Sequence, residues 1–232
     1  PQGRLVPDLV GPEAFISAET TRRDLDILVA GCRYALSGRA SRTKGVKALL
    51  SGPSGTGKTL GASYLSTALG LPLFRLDLST VVSKYIGETE ENLAQLLDHA
   101  EGGHLVLLMD EADSLFAGRT EVTDGSARFA NNQTNFLLTR FEAFTGLALL
   151  TTNSPEKIDT AFARRLDQVV EVHPPAARER RAILRLNLGA DHGLAEADLN
   201  RIAAHVDLSG GHLTNLVHTA RVLAAADGVS IG

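Results

Sequence analysis

Short apolar runs alternate with amphipathic stretches through the middle of the chain. Five short, mostly apolar runs predict strands, at residues 46–51, 73–78, 105–110, 147–152 and 168–172. Such runs are typical of parallel strands that are covered on both faces. Helical patterns fill the gaps between them, at residues 58–69, 88–100, 127–144 and 155–163. The alternation predicts an α/β domain with three layers.

The two ends of the chain show different patterns. Residues 1–20 are interrupted by proline and glycine and predict an irregular lead-in, which a helix over residues 21–36 follows. Beyond residue 173 only helical patterns remain, and they cover residues 176–188, 196–206 and 210–226. We therefore predict an α/β domain over residues 1–173 and a small helical subdomain over residues 174–232.

Composition and charge argue against a membrane-spanning protein, a disulfide-bonded protein and a general attraction for nucleic acid. No apolar run approaches the roughly 18 residues that a membrane-spanning helix needs, so no membrane partner is expected. The single cysteine, Cys32, cannot form an internal disulfide, which favours a reducing, cytoplasmic setting. The formal net charge of -4 supplies no general attraction for nucleic acid. The chain opens on Pro1 rather than Met, and we expect it to be a piece of a longer protein.

The segment GPSGTGKT, residues 52–59, follows the first predicted strand and opens a predicted helix. It fits G-x-x-x-x-G-K-[ST], in which glycines let backbone N–H groups turn toward phosphate oxygens at a helix N-terminus. In this pattern Lys58 reaches the outer phosphates of ATP, and the Thr59 hydroxyl is placed for Mg²⁺. A glycine-rich turn that merely connects strand to helix is the alternative. The predicted nucleotide-binding residues of this segment are Gly52, Pro53, Ser54, Gly55, Thr56, Gly57, Lys58, Thr59 and Leu60.

Polar side chains at the ends of two later strands complete a predicted hydrolytic site. Asp110 ends the most hydrophobic run, where a carboxylate can hold the Mg²⁺ shell. Glu111 is positioned to polarise a water for attack on the γ-phosphate, and Asn153 to orient that water. Each of these residues by itself also fits a solvated turn at a strand end. Their combination with the phosphate loop favours ATP hydrolysis.

These stretches together resemble the AAA+ ATPases over nearly the whole chain. The matching segments are LLSGPSGTGKT, DLSTVVSKYIGETEENL, LLMDEADSLF, ALLTTN, IDTAFARRLDQVVEVHPP and LSGGHLTNLVHTA. The chain looks most similar to bacterial unfoldase-like members, some of which accompany contractile injection systems. The resemblance implies a five-stranded parallel sheet of order 5-1-4-3-2, a helical lid and ATP bound between them. It also implies a ring, usually a hexamer, with each nucleotide held between neighbouring subunits.

The resemblance assigns roles to two adjacent arginines. Arg164 and Arg165 match the arginine fingers that reach the ATP of the next protomer in a ring and neutralise charge on the transferring phosphoryl group. Spacing alone leaves two other interpretations open, an exposed pair of arginines or ion pairs with Asp159 or Asp167.

The lid shows one match and one departure from the family pattern. Gly210 and Gly211 match positions where the lid backbone can approach the adenine. Thr214 stands where many members have an arginine that contacts the γ-phosphate, so we expect that contact to be absent. The helices after residue 174 also resemble a lid that lacks its last helix.

The segment SKYIGETEEN, residues 83–92, bears on the substrate. By resemblance, Lys84, Tyr85, Ile86 and Gly87 form a loop that faces a central pore and grips an extended polypeptide. Burial of the aromatic and aliphatic pair against the domain is the alternative.

Three classes of function remain at this point. The favoured one is an ATP-driven ring motor that remodels, unfolds or disassembles a protein substrate. A nucleic-acid motor or loader is the second, but the pore segment offers Lys84 alone against Glu88, Glu90 and Glu91, whereas phosphate contacts need Lys and Arg. An ATP-gated assembly factor without turnover is the third, and Glu111 counts against it. The sequence holds no H-E-x-x-H and no cysteine pair, so neither a metalloprotease nor a zinc site is expected.

Overall fold

The computed structural model describes residues 3–37, 45–78, 97–98, 100–101, 104–116, 139–158, 160–190 and 192–231. The strands are β1 Gly3–Leu5, β2 Val46–Ser51, β3 Leu73–Asp77, β4 Val106–Asp110, β5 Leu147–Thr152 and β6 Gln168–Glu171. The helices are α1 Glu19–Leu36, α2 Lys58–Leu69, α3 Asp113–Phe116, α4 Thr160–Ala163, α5 Ala177–Leu188, α6 Glu196–His205 and α7 Gly210–Asp227. None of the helices in these ranges is long and apolar enough to cross a membrane.

The strands form one sheet in the order β1-β3-β4-β5-β2-β6. The five strands from β2 onward are parallel to their neighbours. The predicted strands 1 to 5 correspond to β2 to β6. Read from β6 to β3, their order is therefore 5-1-4-3-2, and the structure confirms this prediction. The sixth strand corrects the predicted lead-in, because Gly3–Leu5 pairs antiparallel with β3. This strand is too short to show an alternating pattern, and a Cβ at Gly3 would overlap the ring of Phe74.

Both faces of the central strands β2, β4 and β5 are buried, which explains why their runs are largely apolar. On β5, Ala148 and Leu150 belong to one hydrophobic cluster, whereas Leu147 and Leu149 belong to the cluster on the opposite face. Successive side chains of a strand point to opposite faces, so a strand between two cores is apolar at most of its positions. Helices α1 and α2 pack on the face of the second cluster.

Two predicted helices in the middle of the chain are described only in part. Residues 97–98, 100–101 and 139–143 are helical, in agreement with the patterns over 88–100 and 127–144. The single helix predicted over residues 155–163 is divided instead into a 3₁₀ turn, Pro155–Lys157, and α4.

Helices α5, α6 and α7 pack around a separate hydrophobic cluster that includes Leu184, Leu199 and Leu213. Arg180 is buried among them. Its guanidinium donates to the carbonyl oxygens of Pro175 and Ala203, each at 2.8 Å. The domain boundary near His173 stays a prediction.

Candidate nucleotide site

A cavity of about 540 Å³ lies at the carboxyl ends of the parallel strands. Strands β2 and β5 pair in register up to Ser51 and Thr152, and Asp110 ends β4 beside them. Ligands of open parallel sheets bind at this edge, because the loops that follow the strands converge there. The cavity is lined by residues 54–60 of the phosphate loop together with Asp110, Glu111 and Asn153.

The phosphate loop has a backbone that requires glycine. Gly52 has φ 149° and Gly57 has φ 99°, which are values that other residues rarely adopt. A Cβ at Gly52 would also overlap the carbonyl oxygen of Val172. Gly57 is the N-cap of α2, so the loop leads directly into the helix, which begins at Lys58. Such a terminus favours anions.

Lys58 is 8% exposed and satisfies all three of its ammonium N–H groups within the chain. Its Nζ donates to the carbonyl oxygens of Gly52 at 2.7 Å and Pro53 at 2.8 Å, and to Asn153 Oδ1 at 2.7 Å. Burial lowers the pKa of Lys58, and the negative charges of Asp110 and Asp113 oppose that shift. Phosphate oxygens in the cavity can replace these three acceptors.

Asp110 is 6% exposed, and both of its carboxylate oxygens have partners. The Thr151 hydroxyl donates to Oδ1, and Arg75 Nη2 lies 2.6 Å from Oδ2. Thr151 and Arg75 come from the strands on either side of β4. The carboxylate is therefore held between β3 and β5 at the floor of the cavity.

Glu111 follows Asp110 in a left-handed backbone conformation, with φ 60°. Its backbone N–H donates to the Thr151 hydroxyl at 3.1 Å, which holds this turn to β5. Left-handed conformations cost free energy for residues with a Cβ and are frequent where a side chain must be aimed at a ligand. Glu111 is exposed and lines the cavity.

Asp113 joins the turn after β4 to the end of β5. Its two carboxylate oxygens accept the Asn153 backbone N–H at 3.2 and 3.1 Å, and Oδ1 also accepts the Thr152 hydroxyl. This contact sets the position of Asn153 relative to Glu111.

The start of α7 and the N-terminal segment close the other sides of the cavity. The Gly211 N–H donates to the carbonyl oxygen of Gly55 at 3.0 Å, which places the start of α7 directly on the phosphate loop. Thr214, at the position of the expected lid arginine, lines the cavity and donates to the Gly210 carbonyl oxygen at 3.1 Å. From the N-terminal segment, Ile16 lines the cavity.

The profile of the ATPase family associated with various cellular activities (AAA) matches residues 48–174. The chain belongs to this family. It is 32% identical over 210 residues to the ATP-dependent zinc metalloprotease FtsH of Mycobacterium leprae, with 87% of this chain and 26% of that protein covered. It is 31% identical over 196 residues to a katanin p60 ATPase-containing protein of Danio rerio, with 78% of this chain and 39% of that protein covered. The chain thus spans between 26% and 39% of the length of these two relatives.

The fold of this AAA domain matches solved structures. The crystal structure of the FIGL-1 AAA domain in complex with ADP superposes with a TM-score of 0.78 at 24% identity, and covers 97% of this chain and 77% of that chain. At this identity the likeness shows the fold alone.

The two candidate arginine fingers are exposed and do not line the cavity of this AAA domain. Arg165 forms an ion pair with Glu142. Within the described part of the chain, Arg164 makes no ion pair. Asp159 lies outside the described residues, as do Lys84, Tyr85, Ile86 and Gly87 of the predicted pore loop.

The remaining predicted nucleotide-binding residues divide into two groups. Ser54, Thr56, Thr59 and the half-exposed Leu60 line the cavity with Gly211. Gly52 and Pro53 instead supply the carbonyl oxygens that bind Lys58.

Sequence patterns alone did not identify three polar residues of the site, Arg75, Asp113 and Thr151. Arg75 and Thr151 are polar residues within apolar strand runs, and that interruption of the pattern is the signal that could have identified them. Asp113 stands close to two other acidic residues, Asp110 and Glu111, and has no comparable signal.

Proposed function

We propose that this AAA domain hydrolyses ATP as one member of a ring motor and remodels a protein substrate. One observation carries the hydrolytic part of the proposal. Lys58, Asp110, Glu111 and Asn153 converge on one cavity beside a helix N-terminus, although they come from three separate segments of the chain. These are the residue types that phosphoryl transfer to water requires.

In this proposal the phosphates of ATP lie against residues 54–59, and Lys58 exchanges its three internal acceptors for phosphate oxygens. Its lowered pKa comes from burial, and an anionic ligand raises it again because negative charge favours the ammonium form. Residues 174–232 act as the lid, since Gly211 already contacts the phosphate loop.

The residues at the cavity floor fit a magnesium ion. Thr59 and Asp110 offer a hydroxyl and a carboxylate, and Mg²⁺ prefers oxygen ligands. No group of three or more His, Cys, Asp or Glu residues that could hold a metal occurs among the residues described, whereas nucleotide sites hold Mg²⁺ through one or two protein oxygens and the substrate phosphates. When bound, Mg²⁺ neutralises charge on the β- and γ-phosphates.

The protein-substrate part of the proposal rests on the pore segment and on the relatives. Tyr85 and Ile86 form an aromatic and aliphatic pair that can pack on any side chain of an extended polypeptide. The FtsH relatives are named as ATP-dependent zinc metalloproteases, and proteases act on protein. Arg164 and Arg165 supply the positive charge that the site of the next protomer needs, in a ring that we propose to be a hexamer when ATP is bound.

The hydrolytic proposal is tested with Glu111→Gln in the assembled protein. Removing the general base lowers the steady-state rate of ATP hydrolysis by about 10²-fold or more. The affinity for ATP, measured with a fluorescent analogue, stays within about threefold of wild type, because the phosphate loop is intact. Leu216→Gln, on the exposed face of α7, is the matched control. Hydrolysis that survives Glu111→Gln contradicts the proposal.

The protein-remodelling proposal is tested with Tyr85→Ala. This variant keeps the basal ATPase rate but loses ATP-dependent unfolding of a fluorescent protein substrate, because the loop can no longer grip the chain. Wild-type unfolding by the variant contradicts the gripping role. ATPase activity that single-stranded nucleic acid stimulates, and that salt suppresses, favours the nucleic-acid motor instead.

A further inference from the structure

Arg75 is a charged residue inside the apolar strand β3, and it lines the nucleotide cavity. Its side chain is 31% exposed, and its Nη2 lies 2.6 Å from Asp110 Oδ2. Its Nε is buried and has no hydrogen-bond partner among the residues described. The guanidinium is therefore held at the cavity floor through its contact with Asp110.

The ion pair involves the carboxylate that the proposed function assigns to the magnesium shell. Asp110 Oδ1 accepts the Thr151 hydroxyl, and Oδ2 is bound by Arg75. A divalent cation that uses Asp110 must share or displace one of these partners. Of the two, Arg75 carries a permanent positive charge and repels a cation.

The same ion pair stabilises the protein when no cation is present. A carboxylate that is 6% exposed is costly to bury without an opposite charge. Arg75 supplies that charge from within the chain. Binding of a cation at Asp110 and pairing of Arg75 with Asp110 are thus linked equilibria that oppose each other.

We propose that Arg75 is the built-in counter-ion of Asp110 and weakens divalent-cation binding there. The cation consequently enters with the nucleotide, whose phosphates supply the negative charge that Arg75 has neutralised on Asp110. Arg75 is a positioning residue in this scheme, and the inference rests on the proposed nucleotide site.

The test measures how strongly Mg²⁺ and ADP assist each other. The Kd of a fluorescent ADP analogue is measured with excess EDTA and with excess Mg²⁺, and the ratio of the two values is compared between variants. In Arg75→Gln the Mg²⁺-dependent gain in affinity becomes about tenfold smaller than in wild type, because the cation can then bind Asp110 without the nucleotide, and a change of this size is within the usual range of coupling between two ligands. Arg75→Lys keeps the charge and leaves the ratio close to wild type.

Arg201→Gln is the matched control, because it also removes an arginine paired with a carboxylate but lies on the exposed face of α6. A melting curve in EDTA provides a second measurement. Arg75→Gln lowers the melting midpoint, because Asp110 is left without its counter-ion, and Mg²⁺ restores the midpoint more than it does in wild type.

A wild-type measurement keeps the proposal testable if Arg75→Gln does not fold. Mn²⁺ is titrated into the chain and followed by electron paramagnetic resonance, and tight binding is expected only when ADP is present. Equal Mn²⁺ affinity with and without ADP overturns the inference.

Two other outcomes of the ADP measurement also overturn it. If Arg75→Gln weakens ADP binding by the same factor in EDTA and in Mg²⁺, Arg75 contacts a phosphate of the nucleotide. If the affinities and their ratio are both unchanged, the ion pair has no effect on cation binding. In both cases the nucleotide site stands. A wild-type chain that binds no ADP under either condition instead refutes the proposed function, and this inference with it.

Discussion

At the scale of single residues, the site is held by contacts between side chains and the ends of neighbouring strands. Thr151 serves two of them, because its hydroxyl donates to Asp110 and accepts the Glu111 N–H. Asp113 accepts the Asn153 N–H and the Thr152 hydroxyl. The geometry of the proposed base and of the water-orienting amide therefore depends on residues that need not touch the nucleotide.

Asp113→Ala tests this dependence. Losing the contact frees the backbone at Asn153, and we expect kcat for ATP hydrolysis to fall by roughly ten- to a hundredfold while KM changes little. Asp113→Asn retains an acceptor and recovers part of the rate.

Asp98→Ala is the control, since it removes an exposed carboxylate that pairs with Arg140 away from the cavity. Equal losses in kcat from Asp98→Ala and Asp113→Ala contradict a positioning role for Asp113.

At the scale of elements, the apolar pattern predicted strands well where a strand lies between two cores. Strands β2 and β5 match their predicted bounds, because nearly continuous burial leaves a largely apolar run. The pattern failed at β1, whose three residues Gly3–Leu5 are held by pairing with the edge of β3 and by space beside Phe74. Tertiary contact rather than local preference makes that segment a strand.

At the scale of the whole molecule, Arg164 and Arg165 differ in whether a carboxylate of their own chain pairs with them. Arg165 has an ion-pair partner in Glu142, whereas Arg164 extends from the end of α4 into solvent. An exposed arginine that lies outside the cavity of its own chain is available to a neighbouring one. This arrangement supports the proposal of a ring in which each site is completed by the next protomer.

Mixing of two variants tests that arrangement. Arg164→Ala lowers ATP hydrolysis of the assembled protein by about 10³-fold if the guanidinium acts in trans. Mixing Arg164→Ala with Glu111→Gln restores part of the activity, because an Arg164→Ala protomer keeps its own Glu111 and receives Arg164 from its neighbour. Neither variant alone regains it.

Arg165→Ala removes the same charge and is the comparison for this experiment. We expect a smaller loss from it, since Glu142 already engages Arg165 within the chain. A mixture that is no more active than its components contradicts the trans role of Arg164.

The phosphate loop, the buried strands and the polar residues Asp110, Glu111 and Asn153 at the strand ends could all be predicted from the sequence, because each is a local pattern with a local cause. Gly57, Lys58 and Thr59 are adjacent in the chain and act together at one helix N-terminus. The other side chains of the site could be identified only from the folded chain. Asn153 and Asp113 are separated by 40 positions, and Arg75 meets Asp110 only because β3 lies beside β4. The spacing of apolar residues along the chain cannot predict these contacts, because the order of the strands in the sheet is what brings the residues together.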